Sequence, residues 1–196
     1  KDRLYTLHPN DPHRRSTQTA IFHIFQTFVR LIEPILPFTA DEAWSYLQTG
    51  ENLSTDFLAM EDWPSLPDSW IDGEVLNDAQ ALLDFKESRI NEILEVLRTS
   101  KEIGQSLEAE VVIKFFVDDS FGKLLVQHKE ELAESFIVSS VLLEPSDQKM
   151  ELQVAATHAP GVRCPRSWRW VPELVEVESW GAVSPRCAKV LKDLPV

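Results

Sequence analysis

Cys164-Pro-Arg-Ser167 and Ser184-Pro-Arg-Cys187 are the stretches of this chain whose residue types and spacing could do chemistry. Positions 164, 167, 184 and 187 follow the C-x-x-C…C-x-x-C outline of a zinc ribbon, with one cysteine of each pair replaced by serine. A tetrahedral Zn²⁺ site takes four ligands, two from each knuckle. A serine hydroxyl stays protonated and neutral at pH 7, where a coordinating thiolate carries charge. Two readings follow. In one, Cys164 and Cys187 hold zinc with His158 or Glu173 completing the set. In the other, the metal is lost and a β-hairpin with Trp168, Trp170 and Trp180 holds the tail. The second is expected, because two thiolates and a distant histidine do not make a closed structural site. Cys164, Ser167, Ser184 and Cys187 are then vestigial metal positions. A disulfide between the two cysteines is sterically conceivable, although in a reducing cytosol it is not the resting state.

Around the first knuckle, Arg163, Arg166, Trp168, Arg169 and Trp170 interleave guanidinium groups with indoles. Such a set can stack on unpaired bases and contact phosphates. Equally, the indoles can pack the tail while the arginines are solvated. Charge favours this end for any nucleic-acid contact. The chain carries a net charge of −13, yet between Pro160 and Lys192 six basic residues face Glu173, Glu176 and Glu178. The acidic remainder argues against generic nucleic-acid binding, including DNA, because phosphate affinity comes mostly from Lys and Arg.

Other chemistry is sparse. His8, His13, His23, His128 and His158 form no H-x-x-x-H pair, and no nucleophile elbow, Walker loop or dinucleotide fingerprint occurs. With two cysteines in 196 residues, a disulfide-stapled secreted domain is not expected. The opening Lys-Asp-Arg-Leu-Tyr is no signal peptide, and the longest apolar stretch, Phe136–Leu143, is too short to span a bilayer. A cytoplasmic protein without membrane contact is expected. The absent initiator methionine suggests a piece of a longer chain.

The elements that must position these residues read as follows. Asp11-Pro12 starts a helix whose buried face carries Ile21, Ile24, Phe25, Phe28, Leu31 and Ile32, ended by Pro34 and Pro37. Thr39-Ala-Asp-Glu42 reads as a capping box opening a short helix to about Leu47. Residues 49–70 read as an irregular linker packed down by Trp63 and Trp70. A long helix is expected over Asp72–Lys101, with Leu76, Ala79, Leu83, Ile90, Ile93, Leu94 and Leu97 on its stripe and Gly104 terminating it. The period then changes. Val111–Val117 reads as a strand, Phe121–Leu132 as a helix capped by Asp118-Asp119-Ser120, and Phe136–Leu143 and Met150–Thr157 as strands.

Several stretches, in order along almost the whole chain, resemble the C-terminal part of bacterial-type isoleucyl-tRNA synthetases. Lys1-Asp-Arg-Leu-Tyr5 is similar to that family's K-D-x-L-Y. Leu31-Ile-Glu-Pro-Ile-Leu-Pro-Phe-Thr-Ala-Asp-Glu-Ala-Trp44 resembles the helix junction of the class I anticodon-binding bundle. Lys101-Glu-Ile-Gly-Gln-Ser-Leu-Glu-Ala109 and Phe136-Ile-Val-Ser139 resemble K-x-I-G-x-S-L-x-A and F-I-V-S. Gly161-Val-Arg-Cys-Pro-Arg-Ser-Trp168 and Pro185-Arg-Cys187 resemble the C-terminal finger, with Ser167 and Ser184 at two of its ligand positions.

The resemblance implies an α+β fold: a helical anticodon-binding bundle over 1–104, a small α+β junction module over 105–159, and a degenerate zinc-finger-like ribbon over 160–196. It implies recognition of the anticodon stem and loop of isoleucine tRNA within an isoleucine–tRNA ligase. The ATP- and Mg-dependent catalytic domain and the editing domain would lie elsewhere in the parent, since H-x-G-H and K-M-S-K-S are absent; the fragment alone would be inactive. Partners would be isoleucine tRNA and the catalytic domain of the same chain. Arg14, Arg15, Lys101, Arg163, Arg166, Trp168, Arg169 and Arg186 are the candidate RNA contacts, chosen by charge and place in the pattern. The alternatives are a protein-interaction or interdomain docking module without RNA contact, or the equivalent region of a valyl or leucyl relative.

Overall fold

The structure, a computed structural model, describes residues 2–47 and 57–194. These form two compact units, Arg3–Ile71 and Asp72–Val196, with Asp2 grouped with the second. The sequence segment 1–104 therefore spans the boundary between them.

The first unit is helical: α1 (Asp2–Thr6) apart from Asp2 itself, α2 (Pro12–Ile32) and α3 (Pro37–Ser45). Asp11 caps α2 by accepting from the His13 amide at 2.9 Å, and Pro12 occupies the first turn, where no amide partner is needed. Only part of the expected α2 stripe is buried. Val29, with Phe25 and Ile32, packs on Ala40, Trp44 and Leu58. Ile21, Ile24, Phe28 and Leu31 instead remain exposed, Phe28 to 56%. The stripe is wider than the core within this unit can cover.

α3 begins two residues before the expected capping box. Pro37 stands in its first turn with Leu36 as cap, so Pro37 starts a helix instead of only ending one. Of the linker's indoles, Trp70 packs edge-on against His23 of α2, 4.6 Å between ring centroids. Trp63 and Trp70 are mostly exposed, whereas Leu58 is buried and its amide donates to Asp41 Oδ1 at 2.9 Å. Linker residues 49–56 lie outside the described residues.

The second unit opens with α4 (Gly73–Phe85), a π-helical turn over Lys86–Ile90 and α5 (Asn91–Thr99). Asp72 caps α4 through the Glu74 and Val75 amides. Leu76 and Leu83 of the expected stripe are exposed, while Phe85, Ile90, Leu94 and Leu97 are buried. Gly104 does not terminate this helix. Lys101 does, at φ 62°, with the Glu102 amide donating to Leu97 O at 2.9 Å and the Lys101 amide to Arg98 O at 3.1 Å. That is a Schellman ending with lysine where glycine is usual.

β1 (Ala109–Phe116) is the centre of a three-stranded sheet, parallel to β2 (Ser140–Ser146) and antiparallel to β3 (Gln153–His158). Ala109, Val111, Ile113 and Phe115 point alternately into the core that Ile90, Leu94 and Leu97 share. α6 (Ser120–Gln127) and α7 (Leu132–Phe136) connect the parallel pair. Phe136 is thus the buried end of a helix and not the start of a strand. The chain turns at Ile137 (φ 61°) before pairing from Ser140. The expected helix to Leu132 likewise stops at Gln127, then restarts. Gly122 is held to glycine because a Cβ there would lie 2.5 Å from Phe115 Cδ2.

Candidate functional site

The tail is built from two short antiparallel ladders and a helix. β4 (Val162–Arg163) pairs with β5 (Trp170–Val171), and β6 (Val175–Val177) with β7 (Gly181–Val183). α8 (Pro185–Lys192) follows. Gly161, at φ 97°, lets the backbone pass Val171, whose carbonyl oxygen would lie 2.1 Å from a Cβ. The first knuckle is the turn between β4 and β5, closed by Cys164 N to Arg169 O and Trp168 N to Cys164 O, each 2.9 Å. The second knuckle is no β-turn. Ser184 is the N-cap of α8, accepting from the Cys187 amide at 3.3 Å, and Pro185 fills the first turn.

These elements bring the four vestigial positions together. Cys164 Sγ and Cys187 Sγ are 3.9 Å apart, and both thiols are free and buried. The Ser184 amide donates to Cys164 Sγ at 3.2 Å, and Arg166 Nη1 to Cys187 Sγ at 3.6 Å. Burial pushes the Cys164 thiol up, but hydrogen bonds from the side chains and backbone of Ser167 and Ser184 outweigh it. They bring its pKa from the ordinary 9.0 down to about 6.

The donor set does not fit zinc. Two positions offer neutral hydroxyls, Ser184 Oγ is committed as a helix cap, and a guanidinium sits against one thiol where a cation would bind. Neither His158 nor Glu173 completes a site: among the described residues no group of three or more His, Cys, Asp or Glu could hold a metal ion. His158 instead holds Ala159 O at 2.8 Å through Nδ1, with its ring against Trp170. Nor do the indoles build the tail's core. That core is Cys164, Val177, Val183, Cys187, Ala188 and Leu191, while Trp168 and Trp180 are 48% and 53% exposed.

The remaining candidates fall in four places. Arg163 lies over the exposed Trp168 ring at 5.1 Å from its centroid, a cation–π pair facing solvent. Arg169 and Arg186 both reach Asp2 Oδ2, at 3.3 and 2.8 Å. With Ser139, Ser167 and Ser184 they also line a cavity of about 340 Å³. Lys101 is exposed at the end of α5. Arg14 and Arg15 belong to the first unit; Arg14 Nη1 donates to Leu7 O at 3.0 Å, tying the α1–α2 connection, and Arg15 is exposed. Sequence reading missed Ser139, whose Oγ accepts from the Trp170 amide at 2.7 Å, because nothing local marks a contact 31 residues away. It also missed the capping role of Ser184, although Ser-Pro before a helical stretch is a start signal.

The architecture is an α-helical first unit followed by an α+β body. The family described as "Anticodon-binding domain of tRNA ligase" matches residues 1–113, and the chain belongs to it. Among curated proteins it is 35% identical over 195 residues to isoleucine–tRNA ligase of Thermotoga neapolitana, covering 98% of this chain. It is 31% identical over 206 residues to that of Natranaerobius thermophilus, again 98% of this chain, and 34% over 200 residues to that of Haemophilus influenzae, 96% of it. The chain spans 21% of the length of each of these relatives.

Proposed function

We propose that this chain is the anticodon-recognition part of an isoleucine–tRNA ligase, binding the anticodon stem and loop of isoleucine tRNA. The observation that carries the proposal is the match to isoleucine–tRNA ligases along 98% of the chain, tail included. ATP- and Mg-dependent aminoacylation would belong to the catalytic domain of the longer protein, a cytoplasmic one; no helix among the described residues is long and apolar enough to cross a membrane. We keep 1–104, 105–159 and 160–196 as the functional division, with the last segment a finger-like tail that needs no metal.

Within the tail, the Arg163–Trp168 pair is the best-placed contact. An indole half open to solvent offers a face for an unpaired base, and the guanidinium beside it suits a phosphate. Arg166, Arg169, Arg186, Lys101, Arg14 and Arg15 supply further positive charge. Trp168→Ala should weaken tRNA binding by about 1–3 kcal/mol, the worth of one base stacked on an aromatic ring. Arg163→Glu should also lower the salt dependence of binding, by a slope of about one for the phosphate it no longer neutralises. Unchanged affinity and slope in both variants would remove the tail from the proposed interface.

One observation favours the second reading, interdomain docking. The open face of α2 lines an apolar cavity of about 810 Å³ with Leu66 and Trp70. Under docking alone, Arg163→Glu leaves charging of isoleucine tRNA by the full-length ligase unchanged.

A further inference from the structure

We propose that Cys164 and Cys187 are a dithiol–disulfide pair, an oxidation site in the tail that a hydroperoxide closes. They are the only cysteines of the chain, both free and buried, with their sulfurs 3.9 Å apart. A disulfide bond measures about 2.03 Å, so the sulfurs need to approach by about 1.9 Å. Side-chain torsion and a small shift of the first turn of α8 supply movement of that size.

The surroundings favour sulfur chemistry at this spot. Cys164 Sγ takes the Ser184 amide at 3.2 Å and hydrogen bonds from Ser167 as well, donors that stabilise negative charge on sulfur. Cys187 stands in the first turn of α8, near the positive end of the helix dipole, with Arg166 Nη1 at 3.6 Å. Nucleophile and resolving thiol are therefore adjacent, the first facing neutral hydrogen-bond donors and the second a guanidinium. A cavity of about 340 Å³ adjoins the pair: its wall includes Ser167 and Ser184, the residues that touch Cys164 Sγ, although neither thiol lines it.

The reaction balances with hydrogen peroxide as oxidant. The Cys164 thiolate attacks one peroxide oxygen and the O–O bond breaks. Hydroxide leaves, takes a proton and becomes water, and Cys164 becomes a sulfenic acid. The Cys187 sulfur then attacks Cys164 Sγ; the S–O bond breaks, hydroxide leaves and, with a proton, becomes a second water. Two electrons pass from the sulfur pair to the peroxide. An external dithiol returns the pair to its reduced state.

The test needs no RNA, so its result is independent of the proposed tRNA function. The full chain is exposed to hydrogen peroxide, quenched, unfolded and treated with an alkylating reagent, then examined by intact mass and peptide mapping. The proposal expects loss of two hydrogens, a Cys164–Cys187 cross-link within one molecule, no alkylation, and recovery of both thiols with dithiothreitol. It also expects closure at least about 10-fold faster in the folded chain than in urea, because folding holds the thiols together. Alkylation of both cysteines after peroxide, cross-links only between molecules, or equal rates in folded and unfolded chains would overturn it.

Discussion

Replacing Cys164 by alanine should remove a specific pH dependence of stability. In the folded protein this thiol titrates at about 6, against an ordinary value of 9.0. Between these values the unfolded chain holds the proton and the folded one has released it. Stability should therefore rise with pH across this window, be fully present above 9.0, and be lost as pH falls through 6. The separation corresponds to about 4 kcal/mol at high pH, of which about 2 kcal/mol is gained between pH 5.5 and 7.5. The assay is urea unfolding of wild type and Cys164→Ala at pH 5.5, 7.5 and 9, followed by indole emission. Alanine also loses packing and leaves the Ser184 amide without its sulfur acceptor, so a pH-independent offset is expected as well. The diagnostic quantity is the gap between the two proteins, which should widen by about 2 kcal/mol from pH 5.5 to 7.5. A constant gap would refute the hydrogen-bonded thiolate.

Three other outcomes follow from the geometry. Gly122→Ala should destabilise the second unit by about 1–3 kcal/mol, since its Cβ meets the Phe115 ring and the Phe116 carbonyl; an unchanged urea midpoint would contradict that packing. Lys101→Gly should stabilise the same unit by about 1 kcal/mol by relieving a left-handed lysine at the helix end, and a lower melting temperature would argue against the Schellman ending. Prolonged chelation should leave the unfolding of the tail unchanged and elemental analysis should find no stoichiometric zinc. A chelator-sensitive transition would restore the metal to the cysteine–serine cluster.

Three helix starts, those of α2, α4 and α6, were legible because their caps are local. Asp11, Asp72 and Asp119 each accept from amides two or three residues ahead, and each stands out in sequence for that reason. Elements set by distant partners were not legible. Phe136-Ile-Val-Ser139 looks like a strand by composition, yet Phe136 is buried as a helix end against Phe85, 5.9 Å between ring centroids, and pairing begins only at Ser140. The π-turn over Lys86–Ile90 shifts which residues face the core, and the periodicity of an ideal helix does not anticipate it. In the candidate site, the convergence of positions 164, 167, 184 and 187 was readable from spacing. The contacts around the two thiols were not, because they depend on the Ser184 cap, the Ser184 amide and Arg166 meeting the thiols in space.

The central claim is that this chain reads an anticodon. The most direct measurement is a titration of the full chain with isoleucine tRNA and with a tRNA identical except for its anticodon, at one fixed salt concentration. The account predicts tighter binding of the isoleucine tRNA, by about 1–3 kcal/mol for each anticodon base that is changed. Equal affinity for the two would contradict it.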